Sequence, residues 1–307
     1  MQKIITIGGG TGHFQVLRGL KNYECDITAI VNMSDNGGSS GRLRDEYGVL
    51  PPGDARQCLI ALAGDRSGLL RRVFSYRLKD GHSLGNLIIA ALSDGQINNA
   101  EGIEAAGELL QIEGRVYPVT TDSNQLIGKT HDGRILRGEE AVNYPKDPNT
   151  RISEVYLEPD AFLYRKAGNA IKEADKIVIC PGCLYGSIIP NFLVRGMSNA
   201  LQNSNAQKIY VCNIVTKEGD FDFKAGDFVR EIEKYSGAKM NKIIINTRKY
   251  SAGVIEKYFS EHSRLVEDDL SNDERIIRGE FAAEYLSEPK TILRHVPEKI
   301  AHIIIGL

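Results

Sequence analysis

A segment suited to binding an anion begins at Asp35 and reads Asp-Asn-Gly-Gly-Ser-Ser-Gly-Arg. Glycines permit positive φ angles, so several backbone N–H groups of residues 37–40 can turn toward one negatively charged group. Asp35 adds a carboxylate, which is favourable beside an anion when a divalent cation lies between the two. The same residue types are ordinary in a surface turn. The segment therefore predicts either an anion site with a metal or a flexible loop.

Two further glycine turns follow predicted strands, at 8–12 after the strand 3–7 and at 181–187 after the strand 176–180. In a parallel sheet, such turns bring helix N-termini to the carboxyl edge, where their free N–H groups bind phosphate. We expect the three turns to converge on one crevice. The candidate nucleotide-binding residues of these turns are Gly8, Gly9, Gly10, Thr11, Gly12, Gly37, Gly38, Ser39, Ser40, Gly182, Cys183, Leu184 and Ser187.

Polar residues next to the turns extend the candidate site. Asp54 could hold magnesium together with Asp35, and His82 could move a proton at a phosphoryl group if the protein is an enzyme. Asp54 would equally serve as a helix N-cap, and His82 as the partner of a backbone carbonyl. Asn86 belongs to the same set, and Asn213 follows a strand, where its amide could bond a base or sugar.

Composition excludes several classes of protein. The 307 residues carry a net charge of −2 and show no basic run interleaved with aromatic residues, so we expect neither nucleic-acid nor membrane-surface binding. No apolar run approaches membrane-spanning length, and the N-terminus lacks the long apolar stretch of a signal peptide. We therefore expect a cytoplasmic protein without membrane insertion. Of the five cysteines, Cys180 and Cys183 have redox-motif spacing, but core packing is the favoured interpretation of Cys180.

The alternation of strands and helices predicts an α/β fold, Rossmann-like, with a mostly parallel sheet flanked by helices in one domain over 1–307. The stretch at about 115–160 is strand-rich and predicts a small insertion, with a hairpin turn at Asp132-Gly133. One helix is expected over 191–202 and a solvated charged loop over 267–278. The first turn lacks both the G-x-G-x-x-G fingerprint and a P-loop lysine, so NAD is not expected. NAD binding remains an alternative, because Asp35 follows the second strand, where a nicotinamide enzyme would hold the ribose.

Motifs spread over most of the chain carry a resemblance. They read GGGTG at 8–12, DNGGSSGRLR at 35–44, LPPGDARQCL at 50–59, GHSLGNL at 81–87, PGCLYGSIIPNFLV at 181–194 and CN at 212–213. With these motifs the chain resembles the CofD-like superfamily, and within it the bacterial gluconeogenesis-factor branch. The resemblance implies a Rossmann-like core with a strand-rich insertion.

The resemblance also implies a function. The branch binds uridine diphosphate sugars such as UDP-N-acetylglucosamine and acts in carbon metabolism and cell-wall shape, which favours a UDP-sugar-responsive regulator and a homo-oligomer. Related enzymes are magnesium-dependent transferases that join a phospho-lactyl group to a deazaflavin, and a transferase is the alternative. Tyr258 and Arg294 look like ligand contacts of the branch. Asn36 departs from its pattern by replacing a second acidic residue, and Cys183 and Gly186 each replace a hydroxyl residue.

Overall fold

The computed structural model describes residues 1–64, 67–96, 99–147, 149–287 and 290–307. The strands in chain order are β1 (Gln2–Gly8), β2 (Cys25–Val31), β3 (Arg115–Pro118), β4 (Gln125–Thr130), β5 (Ile135–Arg137), β6 (Ile152–Glu158), β7 (Lys176–Ile179), β8 (Gln207–Val211), β9 (Lys242–Asn246), β10 (Ile276–Gly279), β11 (Ala282–Ser287) and β12 (Lys290–His295). The helices are α1 (Gly10–Leu20), α2 (Gly38–Tyr47), α3 (Gly53–Leu62), α4 (Gly68–Ser75), α5 (Leu84–Ser93), α6 (Asn99–Leu110), α7 (Glu139–Asn143), α8 (Arg165–Glu173), α9 (Ile189–Leu193), α10 (Met197–Asn203), α11 (Ala225–Ser236), α12 (Ala252–Ser260) and α13 (Pro297–Gly306).

Seven of these strands form one parallel sheet in the order β10-β9-β8-β7-β1-β2-β3. Their residues are apolar and largely buried, as in β1, where Ile4, Ile5 and Ile7 are covered from both faces by flanking helices. The predicted α/β fold class is therefore confirmed. The chain moves from β1 to β2 on one side of β1, and the later strand β7 pairs on the other side. The strand order thus reverses between β1 and β7.

Two small antiparallel sheets accompany the parallel one. The order β5-β4-β6 forms a three-stranded sheet, and β11 pairs with β12. The strand-rich stretch predicted at about 115–160 therefore divides between two sheets, because β3 joins the parallel sheet beside β2 and only 125–158 forms the antiparallel one. Apolar residues of the insertion, including Leu126 and Val155, join the same core cluster as the parallel sheet.

Two local predictions were wrong, and one of two alternatives for a third segment is excluded. The helix expected over 191–202 is divided, because α9 ends at Leu193 and α10 begins at Met197 after Gly196 with φ +98°. The segment 267–278 is only partly a loop, since β10 begins at Ile276 and forms the edge of the parallel sheet. The glycine segment after Asp35 is not an open loop, because α2 begins at Gly38.

Within the described part of the chain, the helices are too short or too polar to span a bilayer. This finding agrees with the sequence, in which no apolar run reaches the length required.

Candidate functional site

The turns that follow β1 and β7 lie side by side at the point where the strand order reverses. A Cβ built on Gly12, in the first turn of α1, would overlap the backbone carbonyl of Pro181, which follows β7. Only glycine lets the two backbones approach this closely. In open α/β sheets, ligands bind in the crevice at such a reversal, outside the carboxyl ends of the strands. The predicted convergence of these two turns is thus present in the fold.

A cleft of about 320 Å³ opens over these two turns. This volume suits a small organic ligand. It is lined by predicted residues from four parts of the chain, namely Gly10, Thr11, Gly12, Gly182, Cys183, Asn213 and Arg294. Lys217 and the exposed Tyr144 line it as well.

Eight further predicted residues form a second group beside the cleft. The starts of α2, α3 and α5 meet there, and the N-cap residues of these three helices and of α1 make no capping hydrogen bond with their own side chains. Helix N-termini carry partial positive charge and unpaired N–H groups, so their convergence creates a region suited to anions. The predicted residues in this group are Asp35, Gly37, Gly38, Ser39, Ser40, Asp54, His82 and Asn86.

Two carboxylates occupy this region. Asp54 accepts a hydrogen bond at Oδ1 from the backbone N–H of Gly10 across 2.9 Å, and Asp35 accepts one at Oδ1 from Gly37 across 2.9 Å. Asp54 therefore does not cap its own helix, whose N-cap is Pro52. The cap interpretation was wrong because the side chain reaches across to α1. A Cβ on Gly53 would crowd Ser40 and Oδ2 of Asp35, which shows how closely α2 and α3 approach.

A third carboxyl group comes from the insertion. Burial, with a contribution from the charge of Asp35, raises the pKa of Asp54 to about 7. Burial and the charges of Asp35 and Asp54 raise the pKa of Glu139 to about 8. Raised carboxyl pKa values next to helix N-termini mark a place where a cation or a proton is favourable. The sequence around Glu139 does not predict that it lies near Asp35 and Asp54, because the insertion brings it here from a distant part of the chain.

Asp35 and Asp54 are the candidate metal ligands of this region. Among the described residues, no three His, Cys, Asp or Glu side chains are arranged to hold an ion by themselves. Asp35 and Asp54 each use Oδ1 on a backbone N–H, so Oδ2 is the oxygen of each that could face an ion. Magnesium is commonly bound through one or two carboxylates plus substrate phosphates. The two residues fit a magnesium ion shared with a diphosphate, and not a site made of protein ligands alone.

Ser39 lies at the centre of a hydrogen-bond network. Its Oγ accepts from the backbone N–H of Ser83 (3.3 Å) and from Nδ2 of Asn86 (3.1 Å), and it lies 3.1 Å from Nδ1 of His82. With both lone pairs used, the hydroxyl donates to Nδ1, which leaves the His82 proton on Nε2. Asn86 in turn accepts from Nε of Arg56 across 2.8 Å. Arg56, which sequence patterns did not single out, thus brings a guanidinium to the network.

Two further predicted ligand residues, Asn213 and Tyr258, have partners within the protein. Asn213 donates from Nδ2 to the carbonyl of Gly182 (2.7 Å) and accepts from its N–H (3.3 Å), so it fixes the turn after β7. The hydroxyl of Tyr258 accepts from the N–H of Leu293 across 2.7 Å, and Tyr258 is buried behind β12. Arg294, the next residue, lines the cleft.

The turn after β7 is helical over Leu184–Ile188, where it forms a π-helical turn. Gly8, Gly9, Leu184 and Ser187 are buried beneath the cleft. Burial raises the pKa of the Cys183 thiol to about 11, and Cys180 is buried in the core as predicted. Protonated thiols are poor nucleophiles and metal ligands.

Two of the three positions that depart from the resemblance, Asn36 and Gly186, contact α7. The side-chain oxygen of Asn36 accepts from the backbone N–H of Glu140 across 2.9 Å, in the first turn of α7. A Cβ on Gly186 would overlap Asn143 at the other end of that helix. These two residues therefore fit the insertion against the site.

A larger cleft, of about 400 Å³, lies near the amino-terminal ends of β1 and β3. Its cations, Lys3, Arg115 and Lys166, each form an ion pair with a carboxylate. This pairing neutralises the charge that an anion would need, so size alone does not make this cleft the better candidate.

Known proteins resemble this chain over nearly its full length. The sequence model described as "2-phospho-L-lactate transferase CofD" matches residues 4–282. The chain belongs to the CofD family. Its CofD-family relatives include a putative gluconeogenesis factor of Thermotoga maritima, 40% identical over 98% of each chain. A gluconeogenesis factor of Halalkalibacterium halodurans is 36% identical over 99% of this chain and 96% of the relative.

The fold of this CofD-family chain also matches a solved structure. The crystal structure of a UPF0052 family member from Bacillus halodurans superposes with a TM-score of 0.92 at 36% identity, covering 99% of this chain and 98% of the other. The resemblance inferred from the motifs is confirmed, as is the gluconeogenesis-factor branch within the CofD-like proteins.

Proposed function

We propose that this CofD-like protein binds a uridine diphosphate sugar, such as UDP-N-acetylglucosamine, in the cleft between the β1 and β7 turns. Its occupancy would regulate carbon metabolism and link it to cell-wall synthesis and cell shape. The name gluconeogenesis factor, borne by relatives over the full length of this chain, supports a role in carbon metabolism.

One observation carries the ligand class. The start of α1 and the turn after β7 meet at the strand-order reversal, with Arg294 on one wall of the cleft. Backbone dipoles with few fixed cations favour a diphosphate, whose charge spreads over several oxygens. The guanidinium of Arg294 offers a planar face and a fork of donors for a base or a phosphate.

Magnesium belongs to the proposal as a shared ion. Asp35 and Asp54 would hold it through carboxylate oxygens, and the bound ion would neutralise charge on the diphosphate. Because both carboxylates lie beside helix N-termini, the protein can keep them close together before the ion arrives.

Isothermal titration tests the ligand directly. UDP-N-acetylglucosamine, UDP, GDP and NAD are titrated into the protein with and without magnesium, and we expect the UDP species to bind most tightly and with magnesium dependence. Arg294→Ala should weaken binding of UDP by roughly ten-fold or more, whereas Arg18→Ala, an exposed arginine of α1, should leave it unchanged. Tighter binding of NAD than of any UDP species would refute the proposal.

A transferase using a nucleotide diphosphate donor is the second candidate. The raised pKa values of Asp54 and Glu139 beside the cleft, together with the transferase description of the family, favour it. Incubation with UDP-sugar, magnesium and pooled metabolite acceptors should then release nucleotide, and Asp54→Asn should abolish that release. Binding without any turnover would favour the regulator.

A further inference from the structure

His295 ends β12 and lines the cleft, yet it is only 4% exposed. Its ring bonds to the backbone of Cys212, and its Nε2 has no hydrogen-bond partner within the described part of the chain. The bond to Cys212 is therefore made by Nδ1, which donates to the carbonyl. Burial lowers the pKa of His295 to about 4, so the ring is neutral and Nε2 carries a lone pair.

Gln15 of α1 presents a second unpaired acceptor in the same cleft. Its Oε1 is buried and without a partner among the residues described. Of the three buried side-chain atoms of this kind in the described chain, two thus belong to residues of one cleft, and the third is on Asn191. A buried polar atom without a partner is costly, so two in one cleft indicate that a bound molecule supplies donors.

The wall around His295 indicates which part of a ligand lies there. The apolar side chains of Ile214, Val215 and Leu293 line this end of the cleft together with Arg294. The carboxylate of Asp54 is bonded to Gly10 at the start of α1 and is not among the residues that line the cleft with His295. A diphosphate directed toward Asp54 would therefore leave the nucleoside against the apolar wall, where Arg294 can lie on the base.

We propose that His295 selects the ligand by accepting a hydrogen bond at Nε2 from a donor of the nucleoside, with Oε1 of Gln15 as a second acceptor. The donor is either an N–H of the base or a hydroxyl of the ribose. This inference rests on the proposed binding of a uridine diphosphate in the cleft. It makes His295 a specificity-determining residue, because a nucleoside without that donor leaves the buried nitrogen unpaired.

Two substitutions test the roles of the two ring nitrogens of His295 separately. In His295→Asn, the side-chain amide can still donate to the carbonyl of Cys212, but no atom remains at the position of Nε2. In His295→Gln, the amide oxygen reaches that position and restores an acceptor. Circular dichroism and thermal melting establish that both variants fold, and titrations use UDP, 2′-deoxy-UDP, 3′-deoxy-UDP and UDP methylated at N3 of uracil.

Of the three analogues, the one that lacks the donor should bind the unaltered protein roughly 5- to 100-fold more weakly than UDP. A weak deoxy analogue identifies the donor as a ribose hydroxyl, and a weak N3-methyl analogue identifies it as the N–H of the base. His295→Asn should weaken UDP binding by a similar factor, and it should then bind UDP and that analogue equally well. His295→Gln should recover part of the UDP affinity and part of the discrimination against the analogue. Equal discrimination in His295→Asn and the unaltered protein would overturn the role of His295 while leaving UDP binding intact. Failure of the unaltered protein to bind UDP would overturn the proposed function, and this inference with it.

Discussion

Asp54 accepts a hydrogen bond from the backbone N–H of Gly10 across 2.9 Å, which ties the start of α3 to the start of α1. The bond places a carboxylate where the two glycine turns meet, and it uses the N–H group that a phosphate would otherwise bind. A Cβ on Gly9 would overlap Oδ2 of Asp54, so the packing leaves the carboxylate little freedom. The bond between Asp54 and Gly10 thus holds α3 against α1 and also positions a carboxylate of the proposed metal site.

The first prediction concerns the pH dependence of stability. The pKa of Asp54 is about 7 in the folded protein, against a usual value of 3.8, so the folded state binds more protons than the unfolded state between these values. Stability therefore falls as pH rises from about 4 to 7. Asp54→Asn removes this contribution while keeping an acceptor for Gly10. The gain in unfolding free energy over the unaltered protein should grow from pH 4 to pH 8, by on the order of 2 kcal/mol for a half-buried group.

Urea denaturation in the presence of a chelator measures this difference, since bound magnesium would favour the charged form of Asp54. The difference between the two proteins removes the contribution of Asp220, whose pKa is also raised by burial. Glu139 contributes to the difference with the same sign, because the charge of Asp54 raises its pKa. A difference that stays constant with pH would contradict the prediction.

The second prediction concerns the close approach of the two turns. Gly12→Ala should destabilise the protein by about 3 kcal/mol or more, because the added Cβ meets the backbone of Pro181 and neither backbone can move cheaply. Gly253→Ala in α12 is the matched control, since a Cβ there meets nothing within 4 Å. That change should be neutral or stabilise the helix by up to about 1 kcal/mol. Equal melting temperatures for the two variants would show that the turns do not pack as described.

The third prediction concerns Asn36. Asn36→Asp adds a negative charge beside Asp35, at the start of α7, where a carboxylate can still accept from Glu140. Magnesium affinity should rise by roughly five-fold, equivalent to about 1 kcal/mol between charges near the surface. Calorimetric titration of magnesium into both proteins measures the change. Unaltered affinity would place the ion away from Asp35.

The fourth prediction separates Tyr258 from Arg294. Tyr258→Phe leaves the N–H of Leu293 without its partner, so it should lower the unfolding free energy by about 1–2 kcal/mol and change UDP affinity only slightly. Arg294→Ala should do the reverse, because the guanidinium lines the cleft. If Tyr258→Phe weakens UDP binding as strongly as Arg294→Ala in a stably folded protein, then Tyr258 contacts the ligand itself.

Sequence patterns were sufficient for the parallel sheet and for the turns at its carboxyl edge. Buried apolar strands such as β1 and β9, followed by glycines or polar residues, have few other structures available. The region around Gly8 to Gly12 was predicted as a turn because it is rich in glycine and follows a predicted strand. The structure begins α1 at Gly10, whose φ of +68° only glycine adopts readily.

Long-range pairings could not be predicted in the same way. Asp54 and Ser83 both have the residue types of helix caps, yet each is bonded to another element, to Gly10 and Phe74 respectively. Glu139 and His295 reach the site from the insertion and from the C-terminal hairpin, and their neighbours along the chain give no sign of it. Residue type predicts what a side chain can bond, whereas the fold decides which partner lies within reach.

A co-crystal structure with UDP-N-acetylglucosamine and magnesium tests the central claim most directly. The account predicts the diphosphate over the turns that follow β1 and β7, the ion between it and Asp54, and the nucleoside against Arg294 and His295. Electron density for the ligand in the larger cleft beside Lys3 and Arg115, or with its nucleoside directed toward α7, would contradict it.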